Sequence, residues 1–238
     1  MARTTIEDVA GPAATLGAGV TAGFLAGVLI GGIGGRIAML VLRLTSDPRL
    51  HGIATDDGFT IGRVSAETLF LLGVTAGLGM AGGLLYLVVR RWIPAPARIP
   101  VMVVFFALVG GAGVVRPSEV DFSLLAPLPL AIALFIAIPA GYGAAMPLLT
   151  ERLLRESSIL RRERWGAVVG LLPLVLMNIV GILILVIAFG VWWAGRNAQP
   201  LVNVWRSRAM MLIGRAALLA TAIASGAGLV RDGVDILG

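Results

Sequence analysis

Side chains able to do chemistry are scarce in this sequence, and most of them lie in or beside long apolar runs. The chain has no cysteine and a single histidine, His51. That excludes thiolate nucleophiles, disulfides and cysteine–histidine metal sites. What remains is Arg36 and Arg215 at or inside the ends of apolar runs, and Glu67, at the outer start of the second span, as the nearest acidic candidate for either. Asn178 lies in the middle of a run, Tyr142 follows Pro139, and Arg116 and Arg196 stand just beyond two further runs. Arginine stays charged at any accessible pH, so in hydrocarbon it must reach the interface or meet a carboxylate. A buried asparagine amide must be hydrogen-bonded. These seven residues are the candidates for a solute- or ion-binding site, with Arg36, Arg116, Arg196 and Arg215 at its outward end. Snorkelling and structural ion pairing are the simpler reading of the same arginines.

Other constellations lead nowhere catalytic. Asp56, Asp57, Glu119 and Asp121 fall in two polar stretches that could hold a divalent cation if they converged. Solvated turns explain them more simply. Asp56-Asp57-Gly58 followed by Arg63 resembles part of the motif of the CDP-alcohol phosphotransferases. That family completes its metal site with aspartates one and two helical turns apart, and the second apolar run here contains none. Ser225-Gly226 has no positioned base. No paired intramembrane aspartates, HExxH, phosphate loop or dinucleotide fingerprint is present. No cofactor is therefore expected, and a membrane-embedded lipid-processing enzyme ranks third among the functional readings.

The elements that must position these residues follow from composition. The chain is 58% hydrophobic and 13% charged, about half the charge of an ordinary soluble domain. Its apolar runs are long enough to cross a bilayer. The sequence predicts an all-α polytopic membrane protein, one transmembrane domain over residues 1–238. About six spans fall near 13–35, 67–89, 99–115, 124–149, 166–193 and 209–230. Whether residues 36–44 continue the first helix is left open. Pro139 and Pro147 should kink or break the fourth span near Tyr142. The amino terminus, partly acidic and followed by too long an apolar run, is read as retained and not as a cleaved signal.

Six spans put both termini on one side. Arginines favour the termini, the 90–100 connection and the 151–165 stretch, so by the positive-inside rule that side is cytoplasmic, in the plasma membrane. The net charge of +6 then reports topology and contact with anionic headgroups at 151–165, and no nucleic-acid partner is implied. Arg36, Arg116 and Arg196 are equally spaced along the chain, which suggests three repeated hairpins. Arginine's suitability for helix carboxyl ends explains the pattern as well.

Glycine recurs at every fourth residue through Gly19, Gly23, Gly27, Gly31 and Gly35. Each costs about 1 kcal/mol in a helix interior relative to alanine, so the row needs a compensating contact. In lipid that contact is close helix packing. Small residues also line the second span (Gly73, Gly77, Ala81, with Gly79 and Gly83), the fourth (Ala133, Ala137, Gly141, Ala145) and the sixth (Ala216, Ala220, Ala224, Gly228). A four-residue step overshoots one α-helical turn, so the row drifts around its helix and requires more than one neighbour. The leading functional reading is binding or passage of a small solute or ion through the bundle. The alternative is a non-catalytic accessory or scaffold subunit, joined to copies of itself or to another membrane subunit.

Overall fold

The protein is described from a computed structural model, for residues 6–46, 66–117, 126–162, 165–176, 190 and 207–237. Among these the only regular structure is helical. The helices are α1 (Ile6–Ala26), a π-helical segment (Gly27–Gly34), α2 (Gly35–Thr45), α3 (Ala66–Val89), α4 (Arg98–Val114), α5 (Leu128–Leu153), α6 (Ile159–Arg162), α7 (Gly166–Leu176) and α8 (Arg208–Leu237). Five stretches are long and apolar enough to cross a membrane: Gly11–Thr45, Leu69–Val89, Ala95–Val114, Leu128–Leu153 and Arg208–Leu237. The fold is a helical membrane bundle. Of the span expected at 166–193, α7 covers the first part, and most of the remainder lies outside the described residues.

Residues 36–44 do continue the first helix. Gly34 and Gly35 both have right-handed helical backbone, and α2 runs on to Thr45. The resulting stretch of 35 residues is about 50 Å long at an α-helical rise, against about 30 Å of hydrocarbon. Its last part is α2, which carries Arg36 and Arg43. The π segment between them contains Gly27, Gly31, Gly32 and Gly34. Its i→i+5 bonding widens the turn, so a four-residue step no longer overshoots a full turn.

The fourth span is not broken at its prolines. α5 is one continuous helix through Pro139 and Pro147, and it extends to Leu153. A proline in a membrane helix is tolerated where neighbours pack closely against the freed backbone. Here the Pro139 ring sits against Gly110 of α4, and Gly143 lies against the backbone of Met102 and Val103. The extension places Glu151 and Arg152 in the last helical turn and not in a loop.

Contacts fix the direction of each helix. α3 runs antiparallel to α1, with Gly19 beside Gly83 and Gly27 beside Thr75. α5 returns beside α4, from Leu128 and Ala131 near Val115 to Glu151 near Arg98. α8 runs parallel to α4: Gly214 meets Trp92, Gly226 meets Leu108 and Leu229 meets Gly111. The start of α8 therefore lies at the end of the bundle holding residues 90–98 and 151. Its carboxyl end reaches the other, where Leu229 and Ile236 pack against Leu42, Val115 and Ala131. α1 therefore starts at the first end, and α8 finishes at the second.

Among the described residues, arginine is unevenly divided between the two ends. Arg90, Arg91, Arg98, Arg152, Arg155, Arg161, Arg162, Arg208 and Arg215 belong to the first end, and Arg36, Arg43, Arg116 and Arg231 to the second. At the second end Ser46, past the last turn of α2, joins that helix to the start of α5. Its Oγ donates to the carbonyl of Ala126 (3.1 Å) and accepts from the Ala126 N–H (2.9 Å). The Ala126–Pro127 peptide is cis.

Candidate functional site: a glycine seam and a polar cluster

The centre of the molecule is the seam between α1 and α3. A Cβ added at Gly23 would overlap the carbonyl oxygen of Gly79, and one at Gly27 the carbonyl oxygen of Thr75. At Gly19, which opposes Gly83, an added Cβ would come within 2.7 Å of Leu87 Cδ1. From the other side, Gly79 and Gly83 would meet the carbonyls of Gly23 and Gly19. The two backbones touch, which only missing side chains permit. Around them Ala18, Val20, Ala22 and Ala26 are buried.

The row does not use one surface throughout. Gly31 is looser, where an added Cβ would lie 3.2 Å from Thr75 Cβ, and one at Gly35 would meet nothing within 4 Å. Gly32 takes over on the α3 face, against Leu72 and Thr75. On α3 the contact row is Thr75, Gly79 and Gly83, whereas Gly73 faces open space and Ala81 is exposed. The other faces of the first helix meet two further helices. Gly17 lies 2.9 Å from an added Cβ at Gly170 of α7, Thr21 Oγ1 donates to the Gly170 carbonyl (3.0 Å), and Ile30 abuts Gly141 of α5. On α8, Ala216, Ala220 and Ala224 are exposed and Gly228 meets nothing.

Tyr142 belongs to this core and not to a polar interior. It is buried on α5, and its hydroxyl donates to the Gly79 carbonyl at 2.7 Å. Gly82 leaves room for that hydroxyl. Phe106 stands edge-on to its ring, centroids 4.9 Å apart. A buried hydroxyl without a partner would cost about 1–3 kcal/mol, and the seam's own backbone supplies the acceptor.

At the arginine-rich end the polar residues converge. Glu151, in the last turn of α5, accepts from Arg90 twice, Nε to Oε1 (3.0 Å) and Nη2 to Oε2 (2.8 Å). Arg98 Nη1 donates to Oε1 at 2.9 Å, and the fully buried Tyr86 donates its hydroxyl to the same oxygen at 2.8 Å. Arg98 Nε also reaches the carbonyls of Arg90 (3.3 Å) and Ile93 (3.4 Å). Three helices are tied to one carboxylate. The guanidiniums are 27% and 20% exposed and the carboxylate 32%, so solvent weakens the attraction. The paired geometry from Arg90 is nonetheless the strong form of this interaction.

The remaining candidates are dispersed. Arg215 donates from Nε to the Trp92 carbonyl at 2.8 Å. It therefore lies at the opposite end from Arg36 and Arg116, and the four-arginine outer cluster is not assembled. Arg36 falls near the amino end of α3, and Arg116 is exposed just past α4. Glu67 contributes its backbone to α3, while its side chain lies outside the described residues, as do Asn178, Arg196, Asp56, Asp57, Glu119 and Asp121. Among the described residues no group of three metal-ligating side chains occurs.

Sequence reasoning overlooked Tyr86, Arg90, Arg98 and Glu151. Arg90 and Arg98 entered only as topology markers, and Glu151 as part of a surface stretch. One signal was available: Tyr86 and Arg90 are one helical turn apart, at the same membrane face as the end of the fourth span.

By fold and interior, the molecule belongs to the small-residue-packed helical membrane proteins, with a seam of glycine and a carboxylate-centred tie at one end. No protein-family model, curated protein or solved structure matches the chain.

Proposed function

We propose that this multi-pass membrane protein is a non-catalytic accessory or scaffold subunit of a larger assembly in the cytoplasmic membrane. The observation that carries the reading is the α1–α3 seam, where backbone meets backbone and leaves no room between the two central helices. A permeation path through that seam would need side chains or space where there are neither. The polar groups in the described core are spent on structure: Tyr142 on the Gly79 carbonyl, Thr21 on the Gly170 carbonyl and Glu151 on three donors. The glycine row is filled from within the chain, so a partner must dock elsewhere.

The arginine-rich end faces the cytoplasm in this proposal, by the positive-inside rule. With α8 parallel to α4, the carboxyl terminus is then outside. Ser157→Cys should label only from the cytoplasmic side and Asp235→Cys only from outside.

Function is tested by reconstituting the purified chain alone and, separately, isolating it in mild detergent from its native host. The reading expects no flux across a panel of ions and small solutes, and a membrane subunit retained at fixed stoichiometry through size exclusion. Flux that Asn178→Ala abolishes would overturn it in favour of a solute pathway.

A further inference from the structure

The polar cluster holds more positive charge than it neutralises, and the excess is anchored to backbone. Glu151 is saturated, with Oε1 accepting from Tyr86, Arg90 and Arg98 and Oε2 from Arg90. Two guanidiniums lean on the turn that ends α3. Arg98 of α4 uses its Nε edge on the carbonyls of Arg90 and Ile93, and Arg215 of α8 uses its Nε on the carbonyl of Trp92. These carbonyls lie within one four-residue turn. A helix carboxyl end carries negative partial charge and unpaired carbonyls, which explains why two arginines from different helices gather there.

That docking leaves donors over. Among the described residues, the Nη atoms of Arg215 and Nη2 of Arg98 make no hydrogen bond. Arg215 is exposed, and Arg98 is 20% exposed. The position along the bundle is set by Trp92, whose ring lies against Gly214 so closely that an added Cβ would overlap it. Tryptophan favours the headgroup level of a bilayer, and α8 is held there beside it. Neither arginine can shed its charge. A phosphodiester at headgroup level offers the matching acceptors, in the planar geometry that guanidinium prefers.

We propose that the Arg90–Ile93 turn, with Arg98 and Arg215 docked on it, is a binding site for the phosphate of an anionic phospholipid. The lipid's headgroup accepts from Arg215 and Arg98, and its chains lie along the exposed apolar face of α8 that continues past Arg215 through Leu219 and Ile223. The site differs from diffuse attraction to the 151–165 arginines, because its donors are positioned by hydrogen bonds to backbone.

The test is native mass spectrometry of the full chain released from nanodiscs holding equal phosphatidylglycerol and phosphatidylcholine. The wild type should retain at least one phosphatidylglycerol in preference to phosphatidylcholine. Arg215→Gln should lower that retention about tenfold, the loss of one charge-assisted contact, while Arg116→Gln at the other end leaves it unchanged. Equal retention of both lipids by the wild type overturns the proposal even if Arg215→Gln fails to fold. So does unchanged retention by a folded Arg215→Gln. Displacement of the lipid by millimolar inorganic phosphate would also overturn it, by making free phosphate the ligand.

Discussion

The seam between α1 and α3 and the cluster around Glu151 both hold helices together, by opposite means. At the seam, Gly19, Gly23 and Gly27 contribute nothing but the absence of side chains, and the gain is dispersion between backbones in contact. At the cluster, three long side chains converge on the carboxylate of a fourth, tying three helices together. The seam cannot adjust, because any added atom meets a carbonyl. The cluster is partly solvated and tolerant, because arginine can shift and water can replace a lost donor. Rigidity therefore belongs to the middle of the bundle and adaptability to its arginine-rich end.

The contrast is broken most severely at the seam. Gly23→Leu should abolish recovery of monodisperse folded protein, because the Gly79 carbonyl occupies the site of its first side-chain atom. Gly23→Ala should already cost about 3 kcal/mol, at the upper end for overpacking, read as a fall in thermal midpoint in detergent. A Gly23→Ala protein as stable as the wild type would mean that the helices separate at no cost.

A smaller effect is expected at the cluster. Glu151→Ala orphans the buried Tyr86 hydroxyl and removes the acceptor of two arginines, which should cost about 2–3 kcal/mol and lower the midpoint by roughly 4–10 °C. Glu151→Gln keeps an acceptor and should recover part of this. Smaller again, Tyr142→Phe removes one buried hydrogen bond, to the Gly79 carbonyl, and should cost about 1 kcal/mol. The smallest change has the opposite sign. Gly35→Ala and Gly73→Ala meet nothing within contact distance, so helix propensity alone should stabilise each by up to about 1 kcal/mol. If these glycine-to-alanine and polar substitutions all gave similar shifts, the distinction between rigid seam and tolerant cluster would be lost.

How much of this could be read from the residues differs between the two regions for a physical reason. A seam of small residues is a local pattern, repeated every four positions, so Gly19, Gly23 and Gly27 announce a close neighbour. Even the need for several neighbours follows from helical drift, and α3, α5 and α7 supply them. Which α3 face is used was not legible, because Gly73/Gly77/Ala81 and Gly79/Gly83 both offer small residues one turn apart. The cluster is non-local: Tyr86, Arg90, Arg98 and Glu151 come together only once α3, α4 and α5 are assembled. The continuity of α5 was hidden as well, since Pro139 and Pro147 argue locally for a break and only Gly110 and the close approach of Gly143 to α4 make them tolerable. Arg215 was misplaced because parity was counted from apolar runs, whereas its position depends on α8 lying parallel to α4.

The most direct test of a closed glycine seam uses the chain's lack of cysteine. Ala22→Cys and Ala26→Cys add one small atom at positions 0% and 1% exposed beside the seam. In reconstituted liposomes, a water-soluble maleimide should label neither until the protein is unfolded. Ready labelling of either cysteine in the folded protein would place water along the seam and contradict the account.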